Sequence, residues 1–276
     1  MRVMSALTPG NRWLLRGGLA EVDPDAEVVI RSEGDRQRDK LILIPSESLT
    51  PLAVREALGS AFTSIYAEGY PSRRMDRLLT ARLADVEEQL AYHRRLSDRR
   101  FYKGTEFANM VEALAKRRVA ELFATDGQSE AEIKVSADEI FANVQALSGA
   151  AANNAVYEAL LQPGDTIMGL ELNHGGHLTH GSPVNRSGKY FRVVSYGISP
   201  QTGRFDYDDM ARMAVEHRPR IIVAGATAYP WDIDWKRLRE IADLVPGRAY
   251  LLADISHPAG LVGAGLVPNP IGYAEV

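Results

Sequence analysis

The feature that most constrains this chain is the alternation of apolar, strand-like runs with amphipathic helical stretches through its second half. A strand-like FANVQAL (141–147) reaches the small-residue turn SGAAAN, and a helix is predicted through NNAVYEALL. Pro163, Gly164 and Asp165 turn the chain into the strand TIMGLEL. The strand FRVVSYGI, the helix DYDDMARMAVEHR, the strand IIVAGAT, the helix DWKRLREIADLV and the buried strand AYLLADIS follow. Strands separated by helices of this length imply right-handed crossovers and a mostly parallel sheet. Ligands gather at the carboxyl ends of the strands in such sheets. Weight therefore falls on Ser148, Gly149, His174, His177, Thr227, Asp254 and His257.

Composition narrows the function classes. The 276 residues are 45% hydrophobic and 25% charged, enough to bury a sizeable core. A net charge of −4 offers no basic field for nucleic acid or acidic membranes. With no cysteine, a disulfide scaffold, a Cys-ligated zinc and a cysteine nucleophile are excluded. The apolar stretches fall far short of the ~20 residues of a membrane helix. Pro9, Gly10 and Asn11 interrupt MRVMSALTPGNRWLLRGG, so it holds no signal-peptide run. A soluble, cytoplasmic protein is expected.

The first half reads as a charged N-terminal arm over 1–45, with one helix, leading into a large domain over 46–276. Thr50 is a candidate N-cap, with Pro51 at the first helical position. A helix is predicted over 75–96, with Leu79, Leu83, Val86 and Leu90 on one face. Arg82, Asp85 and Glu88, then Arg94 and Arg95, read as its solvated side. A second helix is predicted over 106–123, followed by the polar loop TDGQSEAEIKVSADE.

Three features at the carboxyl ends carry chemistry. Ser148, Gly149 and Ala150 join a strand to a helix start, a geometry that suits phosphate, although tight strand–helix turns use the same small residues. His174, His177 and His180 recur at spacings of three in HGGHLTHG. They suggest either a metal cluster or, since paired glycines imply a loop, a flat imidazole stacked on an aromatic ligand. Asp254 ends the apolar run AYLLAD, where a carboxylate is costly unless something positive meets it. That partner is a metal, an arginine or a protonated pyridine nitrogen, unless Asp254 caps the segment that begins at His257.

The motifs LILIPSESLTPLAVREALGS, YAEGYPSRR, NVQALSGAAANNAVYEALLQPGD, GGHLTHGSPVN and LLADISHPAGLVGAGLVPNP together resemble serine hydroxymethyltransferase. The resemblance covers about Leu41–Arg74 and Phe101–Val276. It implies the α/β, three-layer large domain of fold type I (the aspartate aminotransferase class), with a mostly parallel sheet, helices on both faces and an incomplete C-terminus. It further implies pyridoxal 5′-phosphate (PLP) as cofactor, serine and glycine as substrates, tetrahydrofolate as cosubstrate, and a homodimer with its site at the subunit interface.

The resemblance also assigns roles. His177 resembles the histidine stacked on the pyridine ring, Asp254 the partner of its nitrogen, and His257 the neighbour of its phenolic oxygen. Ser148 and Gly149 match the phosphate cup, and Thr227 stands near the cofactor where the family usually has serine. Ser46 matches the segment that holds the substrate carboxylate. Tyr66 and Glu68 match the motif supplied by the neighbouring subunit, with Glu68 the acid/base group at the substrate hydroxyl. Tyr102 matches an active-site tyrosine, and Leu172, Gly176 and Leu178 match the strip that touches folate.

The departures from the pattern are Ala150 for a hydroxyl residue, Phe101 and Lys103 around Tyr102, Ser256 and Pro258 around His257, and an inserted helix over about 75–100, as in a longer bacterial branch. In the family a lysine that bonds covalently to PLP follows the segment matching NPIGYAEV. The six lysines here, Lys40, Lys103, Lys116, Lys134, Lys189 and Lys236, include no substitute for it. The expectation is a fragment lacking the C-terminal small domain and inactive alone. The alternatives are half of a split enzyme, a non-catalytic partner subunit, or a metal hydrolase using the three histidines.

Overall fold

The computed structural model describes residues 17–96 and 99–276. The chain divides into two compact units, Met1–Val54 and Arg55–Val276. The N-terminal stretch expected to hold no signal-peptide run lies, up to residue 16, outside the described residues.

In the first unit a short turn, α1 (Leu19–Val22), precedes α2 (Pro24–Asp39). The Asp23 carboxylate caps α2 by accepting from the Ala26 amide at 3.0 Å. Pro24 occupies the first helical position, where a missing N–H breaks no intrahelical bond. No side chain of α2 is buried, and Val29 and Ile30 face solvent.

Next, α3 (Leu52–Leu58) begins one residue later than the predicted Pro51. In the second unit β1 (Gly69–Tyr70) pairs antiparallel with β2 (Arg99–Arg100), Gly69 opposite Arg100. Between them the single helix predicted over 75–96 is broken into a 3₁₀ turn (Met75–Arg77), α4 (Thr80–Leu83) and α5 (Val86–His93). Leu79 is extended (φ −67°, ψ 152°), and the Asp85 carboxylate caps α5 through the Glu88 amide. The reason is packing on the next helix, α6 (Glu106–Phe123), whose bounds agree with the sequence reading. Met75, Leu78 and Leu83 are buried against Met110 and Ala113, while Leu79 and Val86 remain exposed. A continuous helix would have turned Leu79 inward in place of Leu78.

The FANVQAL segment is a correction. Residues 141–147 form no strand, and among the described residues no backbone ladder engages them. Apolar β-branched residues suit a strand, but a strand needs a neighbour to bond to, and Phe141 and Leu147 lie exposed.

The remaining elements follow the predicted alternation. They are α7 (Gly149–Leu160), β3 (Thr166–Leu170), α8 (Arg186–Tyr190), β4 (Arg192–Tyr196), α9 (Tyr207–His217), β5 (Ile221–Gly225), α10 (Trp235–Leu244), β6 (Tyr250–Asp254) and α11 (Ala259–Gly263). Strands β3–β6 make one parallel sheet in the order β4–β3–β5–β6. Side chains alternate across it. Met168, Leu170, Ile222, Ala224 and Leu251 pack under Met210, Trp235, Leu238 and Ile241 of α9 and α10. Ile167, Ile221, Val223 and Leu252 pack on the other face with Tyr157 of α7 and Leu161. Two apolar faces need two covering layers, which is why strands read as continuous apolar runs. Each such aliphatic side chain contributes on the order of 2 kcal/mol on burial. The outer edge of β6 is partly occupied, because Ala253 N–H donates to Val276 O and Glu275 N–H to Leu251 O. No described helix is long and apolar enough to cross a membrane.

The strand order sets the position of the site. From β3 the chain moves outward to β4, then returns past β3 to β5 and on to β6. The direction of winding reverses between β3 and β5, and the crevice at their carboxyl ends is where such folds bind ligands.

Candidate active site

The end of β6 brings Asp254 to this crevice opposite Gly225, its register partner on β5. A Cβ on Gly225 (φ +140°) would lie 2.1 Å from the Asp254 carbonyl oxygen, so only glycine allows this approach. The Asp254 side chain is 9% exposed. Its Oδ2 accepts from His180 Nε2 (2.9 Å) and Asn153 Nδ2 (2.9 Å), and its Oδ1 from Ser256 Oγ (2.6 Å) and the Ser256 amide (3.1 Å). Burial pushes this carboxyl up, but the bonds from His180, Ser256 and Asn153 outweigh it and hold the group well below the usual carboxylate range. Asp254 thus closes a tight turn at Ser256, and the helix after His257 starts at Ala259 without an Asp254 cap.

The histidine loop lies against this carboxylate. After β3 come two 3₁₀ turns, Leu172–His174 and Leu178–His180. The His177 amide donates to His180 Nδ1 (3.5 Å), which leaves Nε2 as the protonated nitrogen that faces Asp254. His177 Nδ1 accepts from the Thr179 amide (3.2 Å) and, at 2.7 Å, from Thr179 Oγ1. Thr179 Oγ1 in turn accepts from Asn153 Nδ2 (2.8 Å). One network therefore runs from His177 through Thr179 and Asn153 to Asp254 and His180. Burial, then the neighbouring His180, pushes the His177 imidazole below its ordinary range, so it is neutral at pH 7. His257 adds to that effect. His174 stands apart, with Nδ1 accepting from the Ile198 amide at 3.4 Å. Among the described residues no group of three or more His, Asp or Glu side chains could hold a metal.

The start of α7 completes this cluster. Ser148 caps the helix, its Oγ accepting from the Ala151 amide (3.3 Å). The amides of Gly149 and Ala150 have no partner among the described residues. A Cβ on Gly149 would come 3.2 Å from Ser256 Oγ, which shows how near the helix end lies to the Asp254 turn. Thr227 is tied to the histidine loop through its amide, which donates to Gly175 O (2.8 Å), while its buried Oγ1 has no partner among the described residues. Gly176 is squeezed between β3 and the loop, with no room for a Cβ beside Leu170 O. Leu172 and Leu178 flank it, both half-exposed.

Tyr66, Glu68 and Tyr102 form a second cluster around β1 and β2. The Phe101 amide donates to Glu68 O (3.0 Å), and the Tyr66 and Tyr102 rings meet edge-on at 5.0 Å. The Glu68 and Tyr66 side chains are exposed. No described hydrogen bond or ring contact joins this cluster directly to Asp254. Ser46 belongs to the first unit, in a turn closed by the Glu47 amide to Ile44 O (3.0 Å).

Sequence reasoning missed the residues that tie each cluster together. In sequence His180 stands out only as a third histidine, and Asn153 and Thr179 carry no such signal. Asn153 lies one helical turn beyond the SGAA turn and is buried, a position that demands a hydrogen-bond partner. Arg100 is the second omission. Its guanidinium, 2% exposed, donates to Asn109 Oδ1 (2.8 Å), Ala67 O (2.6 Å), Gly69 O (2.9 Å) and Glu112 Oε2 (2.6 Å). Gln145 Nε2 donates to the same Gly69 O (2.8 Å) and to Glu112 Oε1 (2.9 Å).

The motif residues Ser148, Gly149, His177 and Asp254 thus gather around a crevice with a buried anion, a neutral imidazole and free amides, while Glu68 and its tyrosines form a second cluster. A sequence model of the family described as serine hydroxymethyltransferase matches residues 19–98 and 92–276, nearly the whole chain. With the parallel sheet and helices of a fold type I large domain around that crevice, this chain belongs to the serine hydroxymethyltransferase family.

Proposed function

We propose that the protein is a cytoplasmic, homodimeric enzyme of serine–glycine interconversion that holds PLP at the carboxyl edge of its sheet and passes one carbon to tetrahydrofolate. The observation that carries this reading is the Asp254 carboxylate, buried at a strand end and kept anionic by donors on three sides. Such a carboxylate suits a protonated pyridine nitrogen. The orphaned Thr227 Oγ1 has bonding capacity left for a ligand, and the free amides at the start of α7 suit a phosphate. These residues fit the cofactor.

When bound, PLP supplies an electron sink for charge developing on the substrate. Asp254 would hold a proton on the ring nitrogen, and Asn153 and His180 hold Asp254 in place. His177, its ring fixed by Thr179, would present a neutral imidazole to one face. His257 would serve the phenolic oxygen, and Thr227, Ser148 and Gly149 would secure the rest of the group. Glu68 gives or takes the proton at the substrate hydroxyl, with Tyr66 and Tyr102 beside it. Ser46 helps hold the substrate carboxylate, and Leu172, Gly176 and Leu178 receive folate. The exposed Glu68 and Tyr66 support a second copy closing the site.

Lysine is the remaining question. Lys116 pairs with Asp76, Lys236 with Glu132, and Lys134 donates to Gln128 O, and none of the six bonds into the Asp254 network. We propose that the covalent step uses a lysine outside residues 1–276. The alternative is a split enzyme or a partner subunit, in which that lysine belongs to another chain. Intact mass of the protein isolated from its own cells separates the two, and PLP absorbance with a serine-plus-tetrahydrofolate assay tests the activity. A mass well above 30.4 kDa with a PLP band supports the enzyme reading. A folded, active-length protein that neither binds PLP nor cleaves serine overturns it.

A further inference from the structure

The excursion between β1 and β2 has a structural relation to Glu68 that the family roles do not include. It leaves the body at Tyr70 and returns at Arg99, residues that face each other in the ladder. Its apolar side chains Met75, Leu78 and Leu83 are buried on α6 against Met110 and Ala113. Polar ties reinforce the contact, because Lys116 of α6 pairs with Asp76, Thr80 Oγ1 donates to Glu121 at 3.3 Å, and His93 Nε2 lies 3.4 Å from Glu106 Oε1. The same helix carries Asn109 and Glu112, which bind the Arg100 guanidinium. Arg100 then grips Ala67 O and Gly69 O, the carbonyls on either side of Glu68, while the Phe101 amide holds the Glu68 carbonyl itself. Between the excursion and α6 a cavity of about 20 Å³ lined by Ser72, Gln89, His93 and Asn109 leaves Ser72 Oγ and Gln89 Oε1 without partners among the described residues, room for one bridging water.

We infer that the segment over 71–96, docked on α6, is a positioning element for Glu68, deepening and resting on the function proposed above. Glu68 is exposed and no described side chain bonds its carboxylate, so its place is set by its backbone. That backbone is fixed by β2, and β2 is the return arm of the excursion. Docking on α6 holds the return arm in register, and Arg100 transmits that register to both neighbours of Glu68. A carboxylate that must meet a substrate hydroxyl loses rate steeply with small displacements.

The test uses the full-length, PLP-loaded protein. In one variant residues 71–98 are replaced by Asn-Gly, which closes Tyr70 to Arg99 as a two-residue hairpin and keeps the ladder residues. A second variant, Leu83→Asp, undocks the segment without shortening the chain. The readouts are amide exchange at Phe101, PLP affinity by absorbance titration, and kcat, KM and the pH profile of serine cleavage. The expected result is faster exchange at Phe101 by at least tenfold, unchanged PLP affinity, and a kcat down roughly tenfold with an altered pH profile and little change in KM. Wild-type exchange and an unaltered pH profile in the deletion variant overturn the inference. Loss of exchange protection with kcat intact also overturns it, because Glu68 then does not depend on the segment. If wild type itself cleaves no serine, the function reading fails, and the exchange result still decides whether the segment holds the Glu68 backbone.

Discussion

His180 Nε2 and Asp254 Oδ2 lie 2.9 Å apart, with the imidazole 1% and the carboxylate 9% exposed. The residues are 74 apart in sequence and meet because β3 and β6 end on the same edge of one parallel sheet. A buried carboxylate with three side-chain donors is prepaid in hydrogen bonds before any ligand arrives. Its charge is then available to a cationic group of the ligand without reorganisation.

The first prediction concerns that charge and acid. The folded state holds Asp254 below its ordinary value, so its stabilisation is fully present above the unfolded value of about 4 and is lost as pH falls through the lower folded value. Urea midpoints measured from pH 7 down to 3 are expected to fall below about pH 4 in wild type and to fall less steeply in Asp254→Asn. The same variant should keep its fold at pH 7 yet lose most activity. Full activity in it would remove Asp254 from the cofactor site.

His177→Ala should still fold, since His177 is only half-buried, but bind PLP with a shifted absorbance band and lose most turnover. In wild type the His177 ring should titrate below the ordinary histidine range, because burial and His180 both oppose its protonation. Ring proton shifts followed by NMR from pH 8 to 5 read this directly. An ordinary titration midpoint would mean that the ring is solvated and unfixed.

Gly225→Ala places a methyl group within 2.1 Å of the Asp254 carbonyl in a backbone conformation that L residues rarely adopt. The expected cost is about 3 kcal/mol of stability. It should weaken PLP binding as well, because relieving the clash moves Asp254. Thermal melts with and without PLP measure both effects, and a variant as stable as wild type would contradict the close β5–β6 approach.

Arg100→Met removes a buried cation that satisfies Glu112 and three neutral acceptors. Leaving Glu112, 13% exposed, without that partner should cost about 3–5 kcal/mol. The double variant Arg100→Met/Glu112→Leu should recover part of this, since no charge is then stranded. Denaturant titration of the three variants decides it, and additive losses would show that the pair is not coupled.

Much of this protein is determined locally. The alternation of apolar runs with helices of period 3.6 marks the strands from Thr166 onward and the placing of Asp254 at a strand end, because each depends on near neighbours in sequence, and the helical crossovers between the strands imply that they run parallel. The SGAA turn likewise announces a helix start, with Ser148 as its cap. Long-range partnership decided the rest. Leu79 and Leu78 have the same chemistry, and only the shape of α6 selects Leu78 for burial and breaks the helix predicted over 75–96. Phe141–Leu147 has strand composition but no neighbour to complete a ladder. Asp254 is legible as a buried anion needing partners, yet which donors meet it, His180, Asn153 and Ser256, follows only from the order of strands in the sheet. Hydrogen bonds across dozens of residues leave no periodic trace in sequence, and the tertiary structure alone chooses among equally polar candidates.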